Sequence, residues 1–164
     1  LLSNKNYHFN NTHISKKIKN VAICPGASTN IKRWNLNYFL EVGNFLIKKK
    51  FTPVFIIGPN EFDMIPLIKK SLKFSKIIKS TDPLKTIKIS KTCKFGISND
   101  TGCGHLISAS GIPILTIFGP TSSEKFSPIG NIHNKIISSQ KNHLSKNINL
   151  ISPAEVIKAI TPLL

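Results

Sequence analysis

From Asn20 onward the chain alternates short apolar runs with stretches whose apolar residues recur at helical spacing. Val21–Cys24 reads as a strand, Pro53–Ile57 as a second ended by Gly58, and Lys76–Ile78 as a short third. Phe95–Ser98 is a fourth, Ile112–Phe118 a fifth, and Lys135–Ser138 a candidate sixth. Between the first two, Leu36–Lys50 sets Leu36, Phe39, Leu40, Gly43, Leu46 and Ile47 on one helical face. Asn35 is placed to cap that helix, and Lys48–Lys50 sit where its dipole favours cations. Glu61–Leu72 has a helical pattern interrupted by Pro66, which predicts a late start or a kink. Pro83–Cys93 and Thr101–Ser110 are further helices. The closing helix carries a capping box, with Ser152 as N-cap, Pro153 at the first helical position and Glu155 at the third. Residues 1–18 are polar without a sustained period and read as a linker or the tail of an earlier domain; residues 19–164 read as one domain. Alternating strands and helices predict a parallel sheet covered on both faces, a doubly wound Rossmann-like α/β domain.

Composition adds two constraints. The chain has 164 residues, enough for one ordinary domain, and its 40% hydrophobic content can bury one core. No apolar run approaches the roughly 18 residues of a membrane helix. The net charge of +16 suggests nucleic acid until its make-up is read: 22 of the 23 basic residues are lysine, and the sole arginine is Arg33. Ile, Lys and Asn make up 64 of the 164 residues, the signature of A/T-rich coding. Nucleic-acid readers favour arginine for bidentate contacts, so nucleic acid is not the expected partner. Cys24, Cys93 and Cys103 form no CxxC pair, so we expect neither a disulfide framework nor a cysteine-based zinc site, and a reducing cytosol. The chain begins at Leu1 without a signal-peptide pattern and reads as a piece of a longer polypeptide.

In an open α/β sheet, ligands bind outside the carboxyl ends of the strands. The unusual residues follow those ends: Pro25–Trp34 after the first strand, Gly58–Glu61 after the second, Asn99–His105 after the fourth and Phe118–Ser123 after the fifth. The Asp100–His105 loop opens a helix whose free N–H groups suit an anion, and glycines there permit close approach. Its Gly102-x-Gly104 lacks the third glycine of a dinucleotide fingerprint, and there is no Walker A sequence. Each residue has a plain alternative. Asp100 can cap its helix, Lys32 can be one solvated lysine among many, and Glu61 can be a favourable first-turn charge. Trp34 can stack on a base or anchor the following helix; His105 can meet phosphate or pack in the helix's first turn. No His or carboxylate set has metal-ligand spacing, and no Ser/His/Asp order suggests hydrolysis.

Taken together and in order, PGAS at 25–28, KRW at 32–34, GPNE at 58–61, NDTGCGHLISASGIP at 99–113, FGPT at 118–121 and the closing ISPAEVIKAITPLL resemble glycosyltransferase family 9, the ADP-heptose:lipopolysaccharide heptosyltransferases. The resemblance covers roughly residues 19–164. Asn35 stands where the family often has Pro, and Gln140–Asn149 lacks the cysteines common in the family's late loop. The resemblance implies the C-terminal, donor-binding half of a two-domain GT-B enzyme. It implies Lys32 on phosphate, Glu61 on the ribose, Asp100 on the sugar, and amides of Thr101 and Gly102 on the diphosphate, with Ser28 and His105 completing the donor site. Lys32 and Asp100 are the expected catalytic residues. The expected reaction is inverting transfer of heptose from ADP-heptose, a substrate and not a cofactor, to the lipopolysaccharide inner core. It would occur in the cytoplasm, with peripheral contact at the inner membrane face. The acceptor site and base belong to a first domain not in this sequence, so this chain alone should transfer little. The alternatives are a transferase of another nucleotide sugar, or a non-catalytic phosphate- or nucleic-acid-binding module.

Overall fold

The structure is a computed structural model that describes residues 18–128 and 134–164. Its strands are β1 (Asn20–Cys24), β2 (Thr52–Ile57), β3 (Lys76–Lys79), β4 (Gly96–Asn99), β5 (Ile114–Phe118) and β6 (Asn134–Ser138). They form one sheet in the order β3-β2-β1-β4-β5-β6, with every neighbouring pair parallel. That is the doubly wound order, and its switch point lies between β1 and β4. The helices are α1 (Leu36–Lys48), α2 (Ile65–Ser71), α3 (Pro83–Ser90), α4 (Gly102–Ala109), α5 (Ser123–Phe126), α6 (Ser139–His143) and α7 (Pro153–Ile160).

The unbroken apolar runs of the central strands follow from burial on both faces. Side chains alternate across a strand, so each run feeds two cores. Val21, Ile23, Phe55, Ile57, Phe95 and Ile97 join one core with Phe39 and Leu46 of α1, Ile68 of α2 and Val156 and Ile160 of α7. Ala22, Cys24, Val54, Ile56 and Ile114 join the other with Ile107 of α4. Gly43 permits the α1–α2 approach, because a methyl group there would stand 2.7 Å from Leu72 Cδ1.

Local signals decide most element ends. Asn35 caps α1, its side chain accepting from Asn37 N–H at 2.9 Å. The capping box of α7 is complete, with Ser152 and Glu155 bonded reciprocally. The Pro66 segment resolves as a late start: Pro59–Met64 forms a 3-10 run and Pro66 sits in the first turn of α2, where a missing N–H is harmless. Strand β5 starts at Ile114 and not Ile112, since Pro113 has no N–H for the ladder; its carbonyl instead accepts from Gly96 N–H at 2.9 Å. Helix α3 ends at Ser90 and not Cys93, its last carbonyls closing in tight turns to Thr92 and Cys93. Helices α5 and α6 were not expected; at 4 and 5 residues they are too short to show a period. The linker or tail expected over residues 1–18 lies outside the described residues except for Ile18.

Candidate functional site

The loops at the carboxyl ends of β1, β2 and β4 are tied together by side chains. Asn99, the buried last residue of β4, donates from Nδ2 to the carbonyls of Pro25 at 2.9 Å and Gly26 at 3.1 Å. Its Oδ1 accepts from Trp34 N–H at 3.2 Å. One amide thus fixes both ends of the loop after β1. Trp34 is fully buried, stands edge-on to Phe39 and donates from Nε1 to the carbonyl of Ile151 at 2.8 Å. It anchors α1 and α7 and is not available to stack on a base.

With that loop pinned, Lys32 reaches across to β4. Its Nζ lies 3.3 Å from Asp100 Oδ2, although the two residues are 68 apart in sequence. Thr121, from the loop after β5, donates to the same oxygen at 2.7 Å. The Asp100 side chain is only 8% exposed, and a carboxylate so enclosed requires such partners. Asp100 does not cap α4. Thr101 does, its Oγ1 accepting from Gly104 N–H at 3.3 Å, so the Asp100 carboxylate is free for Lys32 and Thr121. The first intrahelical backbone bond of α4 runs from His105 N–H to Thr101 C=O. The amides of Gly102 and Cys103 therefore precede it and point from the helix N-terminus, where a negative group is stabilised. Gly102 faces open space: a methyl group there would meet nothing within 4 Å.

Beside this cluster lies a cavity of about 280 Å³, bordered by Ser28, Glu61 and Thr101 and walled by apolar atoms of Ile56, Pro83 and Leu106. Glu61 enters it from the 3-10 run after β2, its carboxylate 3.7 Å from Arg33 Nη2. Of the expected site residues, the cavity gathers Ser28, Glu61 and Thr101, while Lys32 and Asp100 pair next to it. Gly102 and His105 do not line it; His105 is exposed and not packed in the first turn. Sequence reasoning missed Asn99, Thr121 and Arg33 as site residues, although all three stand at strand ends or in the loops after them. A second cavity, of about 500 Å³, opens between Ile31, Pro120 and Ile148, with Lys146 as its charged group and no carboxylate.

The cysteine expectation is corrected. Cys24, at the end of β1, and Cys103, in the first turn of α4, are joined by a disulfide with their Cα atoms 6.5 Å apart. Neighbouring parallel strands bring these two chain positions together across 79 residues, which spacing alone does not reveal. Cys93 remains a free, buried thiol, and burial pushes its pKa up to about 11.

The family model for glycosyltransferase family 9 (heptosyltransferase) matches residues 1–152. The chain belongs to glycosyltransferase family 9. A lipooligosaccharide heptosyltransferase 2 of Campylobacter jejuni is 31% identical over 136 residues, covering 79% of this chain and 43% of that protein. The Escherichia coli lipopolysaccharide heptosyltransferase 2 is 23% identical over 132 residues, covering 76% of this chain and 38% of that protein. The family 9 chain thus spans less than half the length of these relatives. Its fold is that of an E. coli heptosyltransferase solved with ADP, at a TM-score of 0.79, 16% identity and coverage of 89% of this chain and 44% of that one. The E. coli ADP-heptose heptosyltransferase II superposes at a TM-score of 0.76 with 20% identity, over 91% of this chain and 47% of that one.

Proposed function

We propose that this family 9 chain is the donor-binding half of an inverting heptosyltransferase that moves heptose from ADP-heptose to the inner core of lipopolysaccharide. The observation that carries the reading is the convergence of Lys32, Asp100, Thr121 and the α4 N-terminus beside a cavity that Glu61 enters. Support comes also from the relatives, which are named lipooligosaccharide and lipopolysaccharide heptosyltransferases, and from structures of the fold solved with ADP or an ADP-heptose analogue.

Breaking a sugar–diphosphate bond leaves negative charge on the departing ADP and positive charge on the sugar carbon. Lys32 and the amides of Gly102 and Cys103 stabilise the first charge. Asp100 stabilises the second, and Thr121 keeps its carboxylate oriented. Lys32 is 26% exposed; its amine pairs with Asp100 and stands 6.0 Å from the centre of the Phe126 ring, and its open side lets it turn to a phosphate oxygen when donor arrives. Glu61 accepts hydrogen bonds from the ribose, with Ser28 at the cavity mouth. His105, exposed in the first turn of the same helix and outside the cavity, is placed to meet a phosphate from the solvent side. The nucleotide sugar enters as a substrate and brings its own leaving group. Attack by an acceptor hydroxyl from the face opposite ADP inverts the anomeric centre, and its proton goes to a base on another domain. The site of action is the cytoplasm, with lysine-rich surface against the inner membrane face; in that reducing compartment the Cys24–Cys103 link is open to reduction.

Titration calorimetry of this chain with ADP and UDP tests the reading. ADP should bind in preference to UDP, and Lys32→Ala should weaken ADP about tenfold or more, as expected for losing a charge-assisted contact. Equal or tighter binding of UDP would favour another nucleotide sugar, and no binding of either would remove the donor site.

A further inference from the structure

Lys32 and Arg33 are consecutive cations that serve different carboxylates: Lys32 pairs with Asp100 and Arg33 with Glu61. Arg33 is also the only arginine in a chain whose other 22 basic residues are lysine. Its surroundings show what lysine lacks. The guanidinium Nη2 donates to the carbonyl of Ala27 at 3.2 Å and lies 3.7 Å from Glu61 Oε1. It therefore ties the loop after β1 to the loop after β2. The backbone on its C-terminal side is fixed by buried Trp34, so the guanidinium has a firm base.

Glu61 is confined on its other sides by glycine. A methyl group on Gly26 would stand 2.7 Å from Glu61 Cδ, and one on Gly58 would stand 2.8 Å from Oε2. The carboxylate occupies the space those side chains would fill. Its side chain is 12% exposed, and among the described residues its one ion pair is with Arg33. The two glycines limit where the carboxylate can go, and Arg33 supplies the attraction that selects one position. One nitrogen, Nη2, reaches both the carbonyl and the carboxylate, and the planar guanidinium behind it fixes that nitrogen's direction, whereas a lysine ammonium at the same site offers a mobile point charge.

We propose that Arg33 is a positioning residue for Glu61 and, through it, a determinant of selectivity for ribose over deoxyribose in the nucleotide. It does not touch the ligand; it holds the carboxylate so that adjacent ribose hydroxyls meet oxygens already in place. The proposal rests on the reading of Glu61 as the ribose acceptor. A site built around a hydroxyl discriminates against its loss, because the waiting acceptor is otherwise left unpaired.

Calorimetry on this chain with ADP, 2′-deoxy-ADP and inorganic pyrophosphate separates the possibilities. Unaltered chain should bind ADP about tenfold more tightly than 2′-deoxy-ADP. In Arg33→Ala that ratio should fall toward one, while pyrophosphate, which samples only Lys32 and α4, keeps its affinity within about threefold. Arg33→Lys retains the charge and the fold but not the rigid direction of Nη2, and should also lose most of the ratio. Adding Arg33→Ala to Glu61→Gln should cause no further loss of selectivity. A wild-type ratio in either Arg33 variant, or an equal loss for all three ligands, would overturn the proposal. Failure of the unaltered chain to bind ADP and pyrophosphate would instead overturn the donor-site reading. ADP binding without discrimination against 2′-deoxy-ADP would overturn the ribose role of Glu61, and with it the proposal.

Discussion

Lys32 and Asp100 pair at 3.3 Å, and that pairing gives a prediction of sign. Asp100→Asn removes the partner that holds Lys32 and a negative charge close to the phosphate site. Its ADP affinity should rise by a factor of a few, while Lys32→Ala lowers it. Calorimetry on the two variants checks this; weaker ADP binding by Asp100→Asn would mean that the carboxylate contacts the nucleotide directly. The cysteines give a second prediction. Without reductant, alkylation in denaturant should add one label, at Cys93, and after reduction three; three labels without reductant would contradict the Cys24–Cys103 link. In the folded chain at about pH 8, Cys93 should resist alkylation, because burial keeps it protonated. At this scale the sequence was legible in its loops, less in what their residues touch. The loops that hold Lys32, Glu61 and Thr101 were legible because they follow strand ends, while the roles expected of these residues came from the family resemblance. Asn99, Thr121 and Arg33 could not be picked out, because their partners across the loops lie 21 to 74 positions away and only the sheet order brings them near. Asp100 illustrates both: its loop was legible, but the choice between capping and pairing was decided by Thr101 and Lys32.

Elements were legible where local chemistry sets their ends. Asn35, Ser152 and Glu155 act at the structure's helix starts as their positions in the chain imply, and the order of strands and helices follows the apolar pattern. Boundaries moved where proline or a closing turn intervened, as at Pro113, Pro66 and Ser90. The α7 capping box carries a testable pH dependence. Burial pushes the Glu155 carboxyl up, but bonds from the Ser152 N–H and hydroxyl, together with His143, outweigh it and hold the group below its ordinary 4.5. A carboxyl lowered on folding stabilises the fold fully above its unfolded value, and that contribution is lost as pH falls through the folded value. Ser152→Ala should lower stability by about 1 kcal/mol near neutral pH and flatten the acid-side decline. Urea unfolding at several pH values reads both effects; an unchanged midpoint would mean that α7 is held by Val156 and Ile160 alone. Trp34→Ala should cost more, about 3–5 kcal/mol, since it empties a fully buried site and orphans the Ile151 carbonyl.

At the scale of the molecule, the doubly wound order was expected and was found, and it explains why the chemistry gathers at one edge. The switch between β1 and β4 parts the following loops and leaves the α4 N-terminus facing the gap. The large positive charge is carried almost wholly by lysine and does not by itself define a site. Binding to vesicles containing anionic lipid should therefore be weak, on the order of 1 kcal/mol per lysine near the surface, and should vanish at high salt without dependence on Lys32. Co-sedimentation reads this, and salt-resistant binding would require an apolar contribution. The central claim is that nucleotide binds between Glu61 and the start of α4. Amide chemical-shift mapping with ADP tests it most directly. The account predicts shifts concentrated at Ser28, Lys32, Glu61 and Thr101–Gly104. Shifts scattered over the lysine-rich faces, or confined to the cavity beside Ile31 and Lys146, would contradict it.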